Sequence, residues 1–272
     1  MALIEPVTSP QRCADKQDIA ARFSAAAAKY DALAGIQHII ADAALSRLSK
    51  MGSTGNFQGI SALDIGCGTG RNTAKLINIW QDVCGMDLAP GMLKLAQANY
   101  PFIRFVQGDA EQLPWQSNSF NALFSSMALQ WCDSPDKVIS EVHRVLQPGG
   151  CAELAVMVEG SFPELNQAAC KTGISLSLNT LPTAEYWLDV ICQQPWLSIN
   201  QEVVNYTDRF YDIISLLKSI NGIGASSQTD ARQRDPLTRN KLQAVSQAIA
   251  QQSDGTLFNT YRILHVSLEK PL

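Results

Sequence analysis

The stretch Ala62-Leu63-Asp64-Ile65-Gly66-Cys67-Gly68-Thr69-Gly70-Arg71-Asn72 decides the fold. A short apolar run carries an acid near its end, three glycines follow at alternate positions, and a helical pattern then begins. The combination reads as a strand, a tight turn and a helix N-terminus, where an open α/β sheet holds a nucleotide-like ligand. Residues without a Cβ let a ligand lie against the backbone, and the free N–H groups of the next helix face it. The spacing is G-x-G-x-G, not the G-x-G-x-x-G of a dinucleotide fingerprint, and Asp64 stands just ahead of it. A carboxylate there repels a diphosphate and suits a cationic ligand. The same spacing disfavours a nicotinamide oxidoreductase.

Working outward from the turn, strands and helices alternate. Strands are predicted at 60–65, 82–87, 103–107, 120–126 and 151–158. Helices are predicted at 70–79, from Pro90 onward and at 135–146, and Gln147-Pro148-Gly149-Gly150 turns the chain into the fifth strand. Phe120 to Ser126 is nearly all apolar and therefore central. Repeated β-α-β units impose a parallel sheet with right-handed crossovers. Ahead of the core, a loose tail leads into two helices over 18–51, broken at Gly35, and a loop at 52–56. These helices are placed to cover the open C-terminal edge of the sheet. Beyond Gly160 come helices at 163–172, 184–192, 211–220 and 238–251, strands at 197–206 and 257–268, and a Gly/Ser-rich loop. The organisation expected is one domain over 1–272. Its parts are cap helices 17–51, a core 58–158, helical insertions 160–195 and 208–255, and final strands 197–206 and 257–268.

At 272 residues, 46% hydrophobic and 17% charged, the chain is long enough for one large α/β domain. A net charge of -4 argues against bulk attraction to nucleic acid or an anionic membrane. No apolar run approaches about 20 residues, and no basic start followed by an apolar core marks a signal peptide. Seven cysteines form no C-x-x-C, and His38, His143 and His265 are isolated. No metal site is expected, and reduced thiols in a cytoplasmic protein are.

Asp87 ends the second strand about twenty residues past the turn, where an acid accepts hydrogen bonds from both ribose hydroxyls. Leu88 and Met92 would make an apolar slot for adenine. Gly108-Asp109-Ala110-Glu111-Gln112-Leu113-Pro114 follows the third strand, and Ser126 and Met127 end the fourth. The glycine turn and these strand ends together resemble the class I S-adenosylmethionine-dependent methyltransferases. The resemblance implies a doubly wound, seven-stranded Rossmann-like sheet, mostly parallel with the last strand antiparallel, under N-terminal helices and a helical lid insertion. It implies S-adenosyl-L-methionine as methyl donor, held by Asp64, Gly66, Cys67, Gly68, Gly70, Asp87, Leu88 and Met92. Asp109 and Ala110 would meet the adenine, and Ser126 and Met127 would lie near the sulfur.

Four further segments carry a narrower resemblance. They are Phe23 to Asp31 with Gln37, Met127-Ala128-Leu129-Gln130-Trp131-Cys132-Asp133, Leu217 to Ala225, and Leu237-Thr238-Arg239. Over about 23–268 the chain resembles the malonyl-[acyl-carrier protein] O-methyltransferase family. Where that family often has Asn after its Gly-Ala-x step, Ser227 stands here. The resemblance implies O-methylation of the free carboxylate of malonyl-acyl carrier protein or malonyl-CoA, at the start of biotin synthesis, by a monomer. Tyr30 would orient that carboxylate and Gln37 would help close the site, with Gln130 and Trp131 beside them. A carboxylate is already ionised at neutral pH, so no general base is needed. Arg144, Arg209, Lys218, Arg232, Arg234, Arg239 and Lys241 are candidates for docking an acidic carrier. Two alternatives stay open: another small acceptor, such as a quinone precursor or a free carboxylic acid, and a non-catalytic protein that binds S-adenosylmethionine as a sensor.

Overall fold

The structure is a computed structural model describing residues 15–52, 61–174, 176, 179–222, 238–252 and 255–272. Two helices come first, α1 (Lys16–Leu33) and α2 (Gly35–Gly52). Asp15 caps α1 by accepting a hydrogen bond from the Gln17 N–H. The break falls at Ala34, and Gly35 is already the first residue of α2, so Gln37 lies on a different helix from Tyr30.

The core follows as β1 (Ser61–Ile65), α3 (Arg71–Leu76), β2 (Asp82–Asp87), α4 (Pro90–Asn99), β3 (Arg104–Gln107) and β4 (Phe120–Ser126). A 3-10 turn at Leu129–Trp131 leads to α5 (Pro135–Val145) and β5 (Leu146–Met157). The remaining elements are α6 (Pro163–Thr172), α7 (Ala184–Ile191), β6 (Ser198–Phe210), α8 (Ile213–Gly222), α9 (Arg239–Ala250) and β7 (Leu257–Glu269). Prolines open α4, α5 and α6, where a missing N–H costs nothing. Thr183 and Thr238 cap α7 and α9 through their side-chain oxygens.

All seven strands form one sheet in the order β3-β2-β1-β4-β5-β7-β6. β7 pairs antiparallel with both β5 and β6, so it alone runs against the other six. The two differences from the sequence reading near the sheet have local causes. β5 begins at Leu146 because the Gln147–Gly150 segment stays beside β4 through an irregular register between Phe120 and Ala122. β6 runs on to Phe210, paired throughout with β7, which shortens the insertion expected from 208. The 223–225 and 227 positions of the narrower resemblance, Leu237, the 52–56 loop beyond Gly52, the N-terminal tail, and Arg232 and Arg234 lie outside the described residues.

The chain order reverses between β1 and β4, and a crevice opens beyond the C-terminal ends of these strands. Leu63, Leu123 and Leu154 on the central strands are wholly buried. α5 presents Val138, Ile139, Val142 and Val145 to that core, at the spacing of an amphipathic helix. α2 packs its Ile40, Ala44 and Leu48 into the cluster that includes Phe124 and Ala155. The crevice therefore has a rigid floor of strand ends, and α1 lies over it.

Candidate active site

The glycine turn is fixed to its neighbour before any ligand arrives. The Gly66 and Cys67 N–H groups both donate to the Met86 carbonyl, at 2.7 and 2.9 Å. Gly66 sits at φ +75°, and a Cβ there would lie 2.2 Å from the Ala128 Cβ. Gly66→Ala should therefore destabilise the fold by about 2 kcal/mol, from left-handed strain plus overpacking. Urea unfolding would show this as a lowered midpoint at unchanged slope. Gly70 has φ +82° and faces the Phe105 ring, 2.8 Å from where a Cβ would be. Its use is close packing, and it is not part of the cavity wall. Gly68 differs: nothing stands within 4 Å of a Cβ built on it, and it borders the crevice.

Asp64 does not face the crevice. Its carboxylate is buried, accepts a hydrogen bond from the Thr73 hydroxyl at 2.7 Å, and thereby ties β1 to the first turn of α3. Asp64 lines neither chamber of the crevice. Burial pushes its carboxyl up to about 7, with the Asp87 charge adding to the rise and the Thr73 hydrogen bond opposing it. An unfolded Asp titrates near about 3.9, so between about 4 and 7 the folded state holds a proton that the unfolded state has lost. Stability contributed by this group therefore falls as pH rises through that window. Asp64→Asn should abolish that component, and unfolding midpoints of both proteins from acid to neutral pH would show it. Parallel pH profiles would contradict it.

Asp87 faces the crevice from the end of β2. Its Oδ2 accepts the Gly68 N–H and its Oδ1 accepts the Ala89 N–H, each at 2.8 Å. Burial raises its carboxyl, and the N–H groups of Ala89, Gly68 and Leu88 hold it back. Each oxygen keeps a lone pair, which is what two vicinal hydroxyls require. Beyond it, Leu88, Met92 and Ala110 line an apolar slot. Asp109 stands at the rim of that slot. Its Oδ1 accepts the Glu111 N–H at 3.0 Å and its Oδ2 pairs with Lys16 of α1 at 2.7 Å.

A second, polar chamber adjoins the first. They share Tyr30, Gly66, Gly68, Ser126 and Met127. Gln37, Cys67, Arg71 and Asn72 line only the second. Both polar atoms of Gln37, the Asn72 Oδ1, the Arg71 Nη1 and the Ser126 Oγ are buried without a hydrogen-bond partner. Such groups are costly unless a ligand or water satisfies them. Asp31 and Arg71 place opposite charges on the chamber wall. Burial, then the Arg71 charge, lowers the His38 imidazole below its ordinary value, so it is neutral there at pH 7. The two chambers together suit a ligand with a flat apolar group, a diol, and a zwitterionic end.

Tyr30 lies at the junction of the chambers, on α1. Burial, followed by the charges of Asp87 and Asp31, drives its phenol far above the ordinary value, so it remains an O–H hydrogen-bond donor at any working pH. Phe23 contacts both the Tyr30 and Trp131 rings edge-on, at centroid distances of 6.4 and 6.1 Å. Trp131 and Leu129 line the crevice, whereas Gln130 does not. The 3-10 turn directs Gln130 inward, where its Nε2 donates to the Met127 carbonyl at 2.8 Å. That bond supports Met127 at φ +57°, an unfavourable conformation for its residue type. Gln130 thus props the turn after β4, and its Oε1 is buried without a hydrogen-bond partner.

The structure therefore brings Tyr30, Gly66, Gly68, Asp87, Leu88, Met92, Asp109, Ala110, Ser126, Met127 and Trp131 around one crevice, with Gln37 and Cys67 in the adjoining chamber. Lys16, Phe23, Arg71 and Asn72 join them, although sequence reasoning gave them no role in the site. Arg71 and Asn72 stand directly after the glycines, so their position was a usable signal; Lys16 meets Asp109 across 93 residues, and nothing local marks it. Among the described residues no group of three His, Cys, Asp or Glu side chains is placed to hold a metal ion. No described helix is long and apolar enough to cross a membrane.

Comparison with known proteins agrees with this geometry. A methyltransferase-domain family model matches residues 63–153. Among solved structures, the YcgJ protein of Bacillus subtilis superposes with a TM-score of 0.59 at 17% identity, covering 84% of this chain and 99% of that one. Phosphoethanolamine N-methyltransferase 2 of Haemonchus contortus, solved with S-adenosyl-L-methionine, gives 0.54 at 21% identity, over 85% of this chain and 53% of that one. At such identities the likeness is one of fold. Sequence relatives are nearer. The malonyl-[acyl-carrier protein] O-methyltransferase of Yersinia pestis is 33% identical over 241 residues, 89% of this chain and 87% of the relative. That of Herminiimonas arsenicoxydans is 32% identical over 260 residues, 94% and 96% of the two chains. On these relatives, the chain belongs to the malonyl-[acyl-carrier protein] O-methyltransferase family.

Proposed function

We propose that this protein methylates the free carboxylate of a malonyl thioester, malonyl-acyl carrier protein or malonyl-CoA, with S-adenosyl-L-methionine as methyl donor. The product is a methyl ester that enters biotin synthesis. The observation carrying the reading is the junction of an apolar chamber and a polar one at Tyr30, Gly66, Gly68, Ser126 and Met127. The residues present fit the methyl donor. Asp87 has acceptor capacity for the ribose, Leu88 and Met92 suit adenine, and the orphaned Gln37, Asn72 and Ser126 atoms beside Arg71 suit an amino-acid end. Bound there, S-adenosyl-L-methionine supplies a methyl group activated by its sulfonium.

The chain's own contribution follows from its chemistry. Tyr30 donates a hydrogen bond to one oxygen of the acceptor carboxylate and leaves the other directed at the junction. Phe23, Met127 and Trp131 wall that junction with apolar surface. An anion and a cation are both discharged in such a transfer, so walls that exclude water favour the transition state over the separated ions. Alignment at near-attack distance supplies most of the remaining rate gain. All these residues lie in one chain, so a monomer suffices. Free thiols at Cys67, Cys84 and Cys151 are in keeping with a reducing cytoplasm.

The deciding assay offers labelled methyl donor with malonyl-, succinyl- and acetyl-carrier protein. Label should enter the malonyl substrate and be lost on mild ester hydrolysis. Label on the acetyl substrate, or none on malonyl thioesters, would overturn the proposal.

A further inference from the structure

α1 crosses the crevice from end to end. Lys16, Ile19, Ala20, Phe23 and Tyr30 form its cavity-facing side, opposite the ends of β1, β2 and β4. Yet only Ile19 and Ala27 of its eighteen residues are buried. Ile19 belongs to the main core cluster and Phe23 packs against it, while Ala20 and Ala27 join a small cluster with Ala89 and Met92. With most of its residues exposed or half-buried, α1 is among the segments that open locally at low cost. Polar contacts fasten it as well, and three of them are stations that join it to the loops at the strand ends and to α4. The Lys16 ammonium bridges Asp109 at 2.7 Å and Glu111 at 2.8 Å. The Ser24 hydroxyl oxygen accepts the Gly91 N–H at 3.0 Å, where a Cβ on residue 91 would collide with Ser24 at 2.6 Å. The Thr69 hydroxyl donates to Asp31 at 2.8 Å, joining α1 to the glycine turn.

The Lys16 station reaches furthest from the junction with α2. Glu111 is itself held, accepting the N–H groups of Asp133 and Ser134 at 2.7 and 3.2 Å. Lys16 thus ties the N-terminal end of α1 to the loops after both β3 and β4. At the other end only Ala34, at φ -91° and ψ 32°, interrupts the helix before α2, which is firmly packed. A ligand seated beside Asp87 and Met92 lies beneath α1 and cannot pass it while all three stations hold.

We propose that α1 is a strap pivoting at Ala34, and that release of Lys16 from Asp109 and Glu111 sets how fast methyl donor enters and demethylated product leaves. The proposal rests on the crevice being the methyl-donor site. Its mark is kinetic: loosening a latch that must open for passage in either direction accelerates entry and exit alike.

The test is stopped-flow binding of S-adenosylhomocysteine, read by the fluorescence of Trp131 in the crevice wall. Two variants weaken the latch from opposite sides. Lys16→Met keeps the stem and removes the charge. Glu111→Gln lies outside the cavity lining and keeps an oxygen for the Asp133 and Ser134 N–H groups. In Glu111→Gln, association and dissociation rates should rise together by about fivefold, as loss of a partly exposed ion pair allows, with Kd within about twofold of wild type, and in Lys16→Met both rates should rise as well. Lys16→Arg should restore slow exchange. Faster dissociation with unchanged association would make Lys16 a ligand contact and overturn the strap, as would unchanged rates in both variants. A wild type that does not bind S-adenosylhomocysteine would instead remove the methyl-donor reading, and the strap with it.

Discussion

Asp87→Ala should weaken binding of S-adenosylhomocysteine about a hundredfold, the loss of two charge-assisted hydrogen bonds less what water returns. Asp87 is the one carboxylate at the crevice whose two oxygens are each occupied on one side by a backbone N–H, from Gly68 and Ala89. Those N–H groups fix the plane of the carboxylate before the ribose arrives, so little ordering cost remains to be met on binding. The substitution also leaves the Gly68 N–H without its acceptor, which loosens the turn under the sulfur. Turnover at saturating methyl donor should change far less than affinity, because nothing in the transfer passes through the ribose. Titration calorimetry with S-adenosylhomocysteine gives the affinity, and a urea midpoint near that of wild type certifies the fold. Protonation removes the same acceptors, and burial raises the Asp87 carboxyl, so affinity should also decline as pH falls into the acid range. An unchanged Kd in the variant would take Asp87 out of the ribose role.

The parts of this site that were legible in the sequence are those set by local pattern. The strand, turn and helix around Gly66 to Gly70 follow from an apolar run and glycine spacing, and β2 and β4 appear at the bounds their composition suggests. Asp87 and Asp109 were readable because the C-terminal end of a parallel strand has only one place to be. The packing of Asp64 was hidden for the opposite reason. In β1 the side chains alternate, and which face meets the crevice depends on where α3 packs; Thr73, nine residues on, claims the carboxylate. Gln130 and Trp131 are neighbours in a 3-10 turn, where adjacent side chains diverge by about a third of a circle and composition does not say which one faces the ligand. The break that puts Tyr30 and Gln37 on different helices was legible to within one residue, since Gly35 marks it and it falls at Ala34. Contacts between α1 and distant loops carry no local signature at all.

Tyr30→Phe should lower turnover on a malonyl thioester by about ten- to a hundredfold, the range for removing one hydrogen bond to a charged group at a reacting centre. The substitution removes the hydroxyl alone. Phenylalanine keeps the edge-on contact with Phe23, so the strap and the wall should survive the change. Burial and the Asp87 and Asp31 charges keep the Tyr30 phenol protonated, so in the proposed role it donates a hydrogen bond and takes no proton. A neutral O–H near the Asp87 and Asp31 carboxylates offers the acceptor carboxylate its hydrogen bond without adding a third negative charge. The cost of bringing an anion toward these acids is what the hydrogen bond and the sulfonium together offset. Without the hydroxyl, the carboxylate loses its fixed orientation at the junction, and fewer approaches reach near-attack geometry. Affinity for S-adenosylhomocysteine, which carries no acceptor, should stay within about twofold of wild type because its contacts are untouched. Single-turnover rates with malonyl-carrier protein, set beside that Kd, separate the two effects. Equal losses in rate and affinity would reduce Tyr30 to a packing residue, and an unchanged rate would leave the carboxylate to be oriented by the chamber that holds Gln37 and Arg71.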